Sequence, residues 1–282
     1  MSQAPSTRKP PSSAAAVTGK PKKFTTSHGP QVKGQRVVIH GPPSSGKTSL
    51  AALIKKGKFI DRDSDGTKGM KVARVEGIAT HADAIEALQT ADLWADVDTI
   101  IVDSASAFQD LAIAQVVGPP GADGKVKSIE SFGFGKGYRM VYEEMMKLLA
   151  ALDRHVDQGR NVVLVCHSTV GNVPNPAGED FKQNQMDLME NGQGPLRKRV
   201  EGWADHILFI ARDVAVTDGK GSSKGTRAIQ TVWSPWWVAK TRPFITADDA
   251  TERSLPTDIV YYDPRTDPEG AAEVWRLLGF NK

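Results

Sequence analysis

The sequence predicts an α/β fold, a mostly parallel, doubly wound sheet flanked by helices. Three observations predict it. The glycine-rich stretch Gly41-Pro42-Pro43-Ser44-Ser45-Gly46-Lys47-Thr48 follows the β-branched run Val37-Val38-Ile39 and precedes the apolar run Leu50 to Ile54, which is the order strand, loop, helix. Two further apolar runs, Asp98 to Ser104 and Asn161 to Ser168, are continuous rather than alternating and finish in polar residues, as strands buried on both faces do. Between them, Tyr138 to His155 carries Met140, Val141, Met145, Leu148, Leu149 and Leu152 at helical spacing.

The loop after the first strand has the pattern G-x-x-x-x-G-K-[ST]. Such a loop wraps backbone N–H groups around phosphates at a helix N-terminus, where the helix dipole also favours negative charge. Gly41, Pro42, Pro43, Ser44, Ser45, Gly46, Lys47, Thr48 and Ser49 form the expected phosphate-binding set. Lys47 is expected to reach the β- and γ-phosphates and Thr48 to give its hydroxyl to Mg²⁺.

The 282 residues suffice for one large or two small domains with a real core. A formal net charge of +3 is too small to argue for nucleic acid by itself, so the placement of basic residues must carry that argument. The single cysteine, Cys166, excludes an intrachain disulfide and a cysteine-rich zinc site, and is best read as core packing. A cytoplasmic location is expected, and no apolar run is long enough to cross a membrane. Residues 1 to about 33 lack apolar periodicity and carry Arg8, Lys9, Lys20, Lys22 and Lys23. They are expected to be a disordered basic tail that adds weak attraction to polyanions, or a solvated leader.

Along the chain, Lys58 to Gly66 reads as a short strand ending in Asp61, Asp63 and Asp65 at alternate positions, where a carboxylate next to the phosphate loop can orient or activate a water. The spacing also imitates a calcium loop, but Val72 stands where that loop needs a glutamate. A brief strand at 71–75 and a helix at 82–88 follow. Asp103 closes a buried central strand and is expected to hold Mg²⁺ together with Thr48. Residues 118–137 read as a loop with Lys125, Lys127, Phe132, Phe134 and Lys136. These offer cations and stacking faces to single-stranded nucleic acid, or two phenylalanines that pin the loop to the core. His167 emerges at the same sheet edge as Asp103 and is expected to contact a γ-phosphate. A second long loop is expected from Thr169 to about Glu201, with Lys182 and the cluster Arg197-Lys198-Arg199. Strands are expected over 204–211 and 233–239, the latter ending in Lys240-Thr241-Arg242. Regularity fades beyond Pro243, apart from a short helix at 271–278 with Trp275 and Leu278 packed inward.

In this order, the motifs resemble the RecA-like core P-loop ATPases of bacteriophages, the short AAA-type members associated with single-strand annealing and recombination. The resemblance covers residues 36 to about 245. It implies ATP and Mg²⁺ as ligands, and a catalytic set of Lys47, Asp63, Asp103, His167, Lys240 and Arg242. Asp63 stands where that family usually has the glutamate that polarises water, with Asp65 as the alternative. Lys240 and Arg242 match a Lys-x-Arg pair that reaches a neighbouring subunit's site. The implied domains are a tail over 1–33, an ATPase core over 34–250 and a C-terminal extension with a short helix over 251–282. The implied partners are single-stranded DNA, further copies of the chain in a ring or filament, and a single-strand-binding protein, in a bacterial host cytoplasm for a phage-encoded chain. The rival readings are a ring helicase-like motor and a nucleotide-gated binding module with little hydrolysis.

Overall fold

The computed structural model describes residues 26, 28, 33–62, 66–118, 128–217, 220–222, 225–245, 252–253 and 260–280. Gln31–Lys282 forms one compact unit, and the basic tail expected before it lies almost wholly outside the described residues. The chain runs β1 (Arg36–Gly41), α1 (Lys47–Ala52), β2 (Gly57–Asp61), β3 (Ala73–Val75), α2 (His81–Gln89), β4 (Thr99–Asp103), α3 (Ala105–Val117) and α4 (Lys136–Asp157). It continues through β5 (Asn161–Val173), β6 (Phe181–Met186), the short pair β7 (Glu190–Asn191) and β8 (Gly194–Pro195), α5 (Leu196–Trp203) and β9 (His206–Arg212). The last elements are β10 (Ala215–Thr217), β11 (Lys220–Ser222), β12 (Arg227–Gln230), β13 (Phe244–Ile245), β14 (Glu252–Arg253), β15 (Val260–Tyr262) and α6 (Ala272–Leu277).

The main sheet has the order β15-β12-β9-β1-β5-β4-β2-β3. Its strands from β9 to β3 are all parallel, and β12 and β15 add an antiparallel margin. The continuous apolar runs occupy its centre: Val37, Val38, Ile39, Ile100, Ile101, Val162 and Val163 are fully buried. Helices cover both faces. One core packs α2, α3, α4 and α5 around Trp94, Phe108, Met145, Leu148 and Leu152. The other packs Leu50, Ala51 and Ile54 against Val274, Trp275 and Leu278. Local chemistry sets the helix starts: Thr80 and Asp83 close a capping box on α2, and Ser104 Oγ accepts the Ala107 N–H at the start of α3. Among the described residues no helix is long and apolar enough to cross a membrane.

The expected α/β class, a mostly parallel sheet with helices on both faces, is present. Three expectations are corrected. Residues 169–201 are not a long loop. β5 runs straight out of the sheet to Val173 and pairs antiparallel with β6 from Ser168↔Met186 to Val173↔Phe181, and α5 follows. Residues 233–239 are not a strand either. Ser234 and Trp237 exchange backbone hydrogen bonds around Pro235, which has no N–H to give a ladder, and the Ser234 hydroxyl accepts the Trp236 N–H. Third, regularity does not fade after Pro243, because β15 joins the main sheet and α6 completes the second core. The expected helix at the end is there, with Trp275 and Leu278 fully buried.

Candidate nucleotide site

Parallel register brings the sheet's carboxyl ends together. Gly41 of β1 lies beside His167 of β5, Asp103 of β4 beside Val165 of β5, and Asp61 of β2 beside Asp103. The phosphate loop leaves β1 here. Gly41 has room for no side chain, since a Cβ would stand 2.1 Å from the Ile210 carbonyl oxygen. Gly46 turns the chain into α1 at φ +99°, a left-handed conformation that favours glycine. A Cβ there would lie 2.2 Å from Arg227 Nη1.

The loop borders a cleft of about 350 Å³ lined by Lys47, Thr48, Gly66, Asp103, His167 and Arg227, among others. Lys47 is buried and donates to the Gly41 and Pro42 carbonyls at 2.9 and 2.8 Å. Burial lowers its pKa, and Asp103 opposes that shift. The Thr48 hydroxyl donates to Asp103 Oδ2 at 2.7 Å. Burial pushes the Asp103 carboxyl up from its ordinary range, against the Thr48 hydrogen bond and the Lys47 and His167 charges. Asp61 is likewise raised by burial and accepts the Thr67 hydroxyl at 2.8 Å. The His167 ring is exposed at the cleft, while its backbone N–H is held by the Ser106 hydroxyl at 3.2 Å.

These residues fit a Mg²⁺-nucleotide. A hydroxyl and a carboxylate side by side are hard oxygen donors suited to Mg²⁺. A Cβ on Gly66 would lie 3.4 Å from Asp103 Oδ2 and 3.8 Å from Thr48 Oγ1, so this glycine keeps the space beside both donors open.

The sequence profile described as AAA domain matches residues 33–243. The chain belongs to the AAA domain family. No curated protein matches it in sequence. Among solved structures, a KaiC-like protein from the hyperthermophilic archaeon Pyrococcus horikoshii OT3 is similar, with 15% identity over 82% of this chain and 90% of its own and a TM-score of 0.40.

Of the residues expected at the site of this AAA domain, Lys47, Thr48, Asp103 and His167 share one cleft with Pro43, Ser44, Gly46 and Ser49. Asp63 and Asp65 lie outside the described residues. Lys240 and Arg242 are not at this cleft. Lys240 Nζ donates to the Glu201 carbonyl, and Arg242 bonds Asp205 Oδ1 and the Gly202 carbonyl at 3.3 and 3.0 Å. Asp205 in turn holds the start of β1 through the Arg36 N–H, so the pair occupies the amino edge of the sheet, opposite the phosphate loop.

The residues expected to bind nucleic acid separate in the AAA domain. Lys125 and Lys127 lie outside the described residues. Phe134 is 98% exposed, Phe132 is half-buried and Lys136 is exposed at the first turn of α4. Gly135 packs against Gln193, which places this segment beside the β7–β8 turn and the start of α5. There Lys198 and Arg197 are drawn to Glu190 at 3.2 and 3.9 Å, and Arg199 is exposed. Lys182 is exposed on β6, next to the edge-to-face pair Phe181–Trp233.

Three positions beside the phosphate loop escaped the sequence reading. Arg227 and Tyr262, register partners on β12 and β15, reach the loop at Gly46. His40, buried directly before the loop, donates from Nε2 to the Val238 carbonyl at 2.6 Å and accepts the Ser168 hydroxyl at Nδ1, 2.8 Å away. Burial holds its pKa down to about 4. The available signal for His40 was a polar residue closing a β-branched run.

Proposed function

We propose that this AAA domain is a Mg²⁺-dependent ATPase that binds single-stranded DNA and acts in phage-type annealing or recombination. The Thr48–Asp103 hydrogen bond of 2.7 Å, beside Lys47 and His167 in one cleft, carries the reading. With nucleotide bound, Lys47 would exchange its two loop carbonyls for the β- and γ-phosphates, Thr48 and Asp103 would hold the Mg²⁺, and His167 would meet the γ-phosphate. When bound, Mg²⁺ neutralises charge on the phosphate oxygens. Asp63 orients the attacking water.

The strand that carries His167 continues without a break into the β5–β6 ribbon, which supports a link between nucleotide and DNA. Alongside that ribbon stand the exposed indoles of Trp233 and Trp236 with Lys182, a set of stacking faces and a cation suited to single strands. Lys240 and Arg242 lie far from their own chain's loop, so their action on a phosphate is on that of a neighbouring copy in a head-to-tail assembly.

The test is ATP hydrolysis by the full chain with and without single-stranded DNA at low salt. Stimulation by DNA, lost together with basal turnover in Lys47→Ala, supports the reading. An unchanged rate with no DNA binding overturns the DNA part of it, and normal hydrolysis by Lys47→Ala overturns the site.

A further inference from the structure

Gly66 and Met70 both line the phosphate cleft, and they are the two ends of a short turn. The Met70 N–H closes it by donating to the Thr67 carbonyl at 2.8 Å. Apolar packing does little for this turn, because Gly66, Lys68 and Gly69 are exposed and only Thr67 is fully buried. Polar side chains hold it instead. The Thr67 hydroxyl donates to Asp61 Oδ2 at 2.8 Å. Arg74, on the edge strand β3, donates from Nη1 to the same hydroxyl oxygen and from Nη2 to the Met70 carbonyl, both at 3.1 Å. Arginine has no acceptor, so the Thr67 proton is committed to Asp61 and the hydroxyl is fixed in two directions at once. Asp61 is buried at the end of β2 in register with Asp103, so the line Asp61–Thr67–Arg74 starts from the sheet edge that presents the metal donor.

We propose that Thr67 is a positioning residue for the Mg²⁺-nucleotide. With Asp61 and Arg74 it fixes the Gly66–Met70 turn against Thr48 and Asp103, and so sets how much Mg²⁺ adds to nucleotide binding and turnover. The proposal rests on the nucleotide site given above. Three features carry it. One peptide bond separates Thr67 from Gly66, whose Cβ position lies 3.4 Å from Asp103 Oδ2 and 3.8 Å from Thr48 Oγ1, so any shift of Thr67 moves the wall beside both donors. None of Asp61, Thr67 and Arg74 lines the cleft, so they act through the turn and not on the ligand. Phe59 and Ile60 already anchor β2 in the two cores, so the Asp61 hydrogen bond serves the turn rather than the strand.

Magnitudes separate this role from general support of the site. A misplacement of about 1 Å near the reacting groups can cost about 10²-fold in rate. The phosphate loop makes its own contacts without the turn, so nucleotide binding in the absence of Mg²⁺ should survive loss of the hydroxyl.

The test pairs ATP hydrolysis by the full chain with calorimetric binding of ATP in EDTA and in Mg²⁺. Thr67→Val should lower kcat about 10–100-fold and remove at least about fivefold of the affinity that Mg²⁺ adds, with ATP binding in EDTA within about twofold of wild type. Thr67→Ser, which keeps the hydroxyl, should recover most of both losses. Arg74→Met should move the same quantities in the same direction, and it decides the matter if Thr67→Val does not fold. The proposal is overturned by Thr67→Val behaving as wild type, by Thr67→Ser being as impaired as Thr67→Val, or by ATP binding in EDTA falling as far as binding in Mg²⁺. Wild-type protein that does not hydrolyse ATP and whose ATP binding does not respond to Mg²⁺ overturns the nucleotide reading beneath it.

Discussion

Trp275 donates its indole N–H to the carbonyl of Leu50 at 2.7 Å, which ties the C-terminal helix to the helix that follows the phosphate loop. The bond joins α6 to α1 across a fully buried contact in which Trp275 also stacks on Phe280 at 5.3 Å. It satisfies a carbonyl near the end of a six-residue helix that is too short to be stable alone.

Trp275→Ala removes that bond and a fully buried indole, and should cost about 3–5 kcal/mol in urea denaturation. Trp275→Phe keeps most of the packing and leaves the Leu50 carbonyl with the Leu53 N–H at 3.3 Å as its remaining donor, for a loss of about 0.5–1.5 kcal/mol. Nucleotide affinity, measured by calorimetry, should fall in the same order.

Asp103→Asn should stabilise the fold while abolishing turnover. The Asp103 pKa is raised by burial, so its favourable contribution is complete below the unfolded carboxyl pKa and is lost as pH rises through the folded value. Burial makes ionising this carboxyl costly, a cost the neutral amide does not carry. The gain should read out as a higher midpoint in a thermal melt.

Acid should destabilise the protein through four buried histidines, His40, His81, His155 and His206, each held below its ordinary pKa by burial. His40 and His206 are both held down to about 4 by burial, against 6.5 for an ordinary histidine. The unfolded chain therefore takes up protons first. The contribution is complete above pH 6.5 and is lost as pH falls towards 4, by up to about 1.4 kcal/mol per pH unit for each histidine. The urea midpoint between pH 7 and 4.5 measures it, and His206→Gln should reduce the slope without abolishing it.

Arg242→Ala should bind ATP within about twofold of wild type and lose up to about 10³ in turnover. Partial recovery on mixing with Lys47→Ala, read in an ATPase assay, would show action between copies. No recovery at any ratio would confine Arg242 to its bonds with Asp205 and Gly202.

The central strands and their polar ends were legible because burial on both faces leaves an uninterrupted apolar run, and Gly41–Thr48, Asp103 and His167 sit at the ends of such runs. The β5–β6 ribbon was not. Beyond the sheet edge Thr169 to Val173 faces solvent on much of its surface, and mixed Thr, Val, Gly and Asn residues give no apolar alternation. Trp233 to Ala239 misled in the opposite way, since aromatic and β-branched residues imitate a strand while Pro235 turns the chain. Arg227 and Tyr262 were invisible for a third reason. Each is unremarkable in its own segment, and only the pairing of β12 with β15 brings them to Gly46.

The Trp275–Leu50 bond spans 225 positions, and the Arg227–Ser44 bond spans 183. The chain's first functional loop is thus assembled with some of its last residues. During synthesis, Gly41–Thr48 emerges early and waits for Tyr262 and Trp275 before its helix is backed. Closing such long separations is slow. A nascent chain should therefore gain its full grip on a nucleotide only after α6 has left the ribosome.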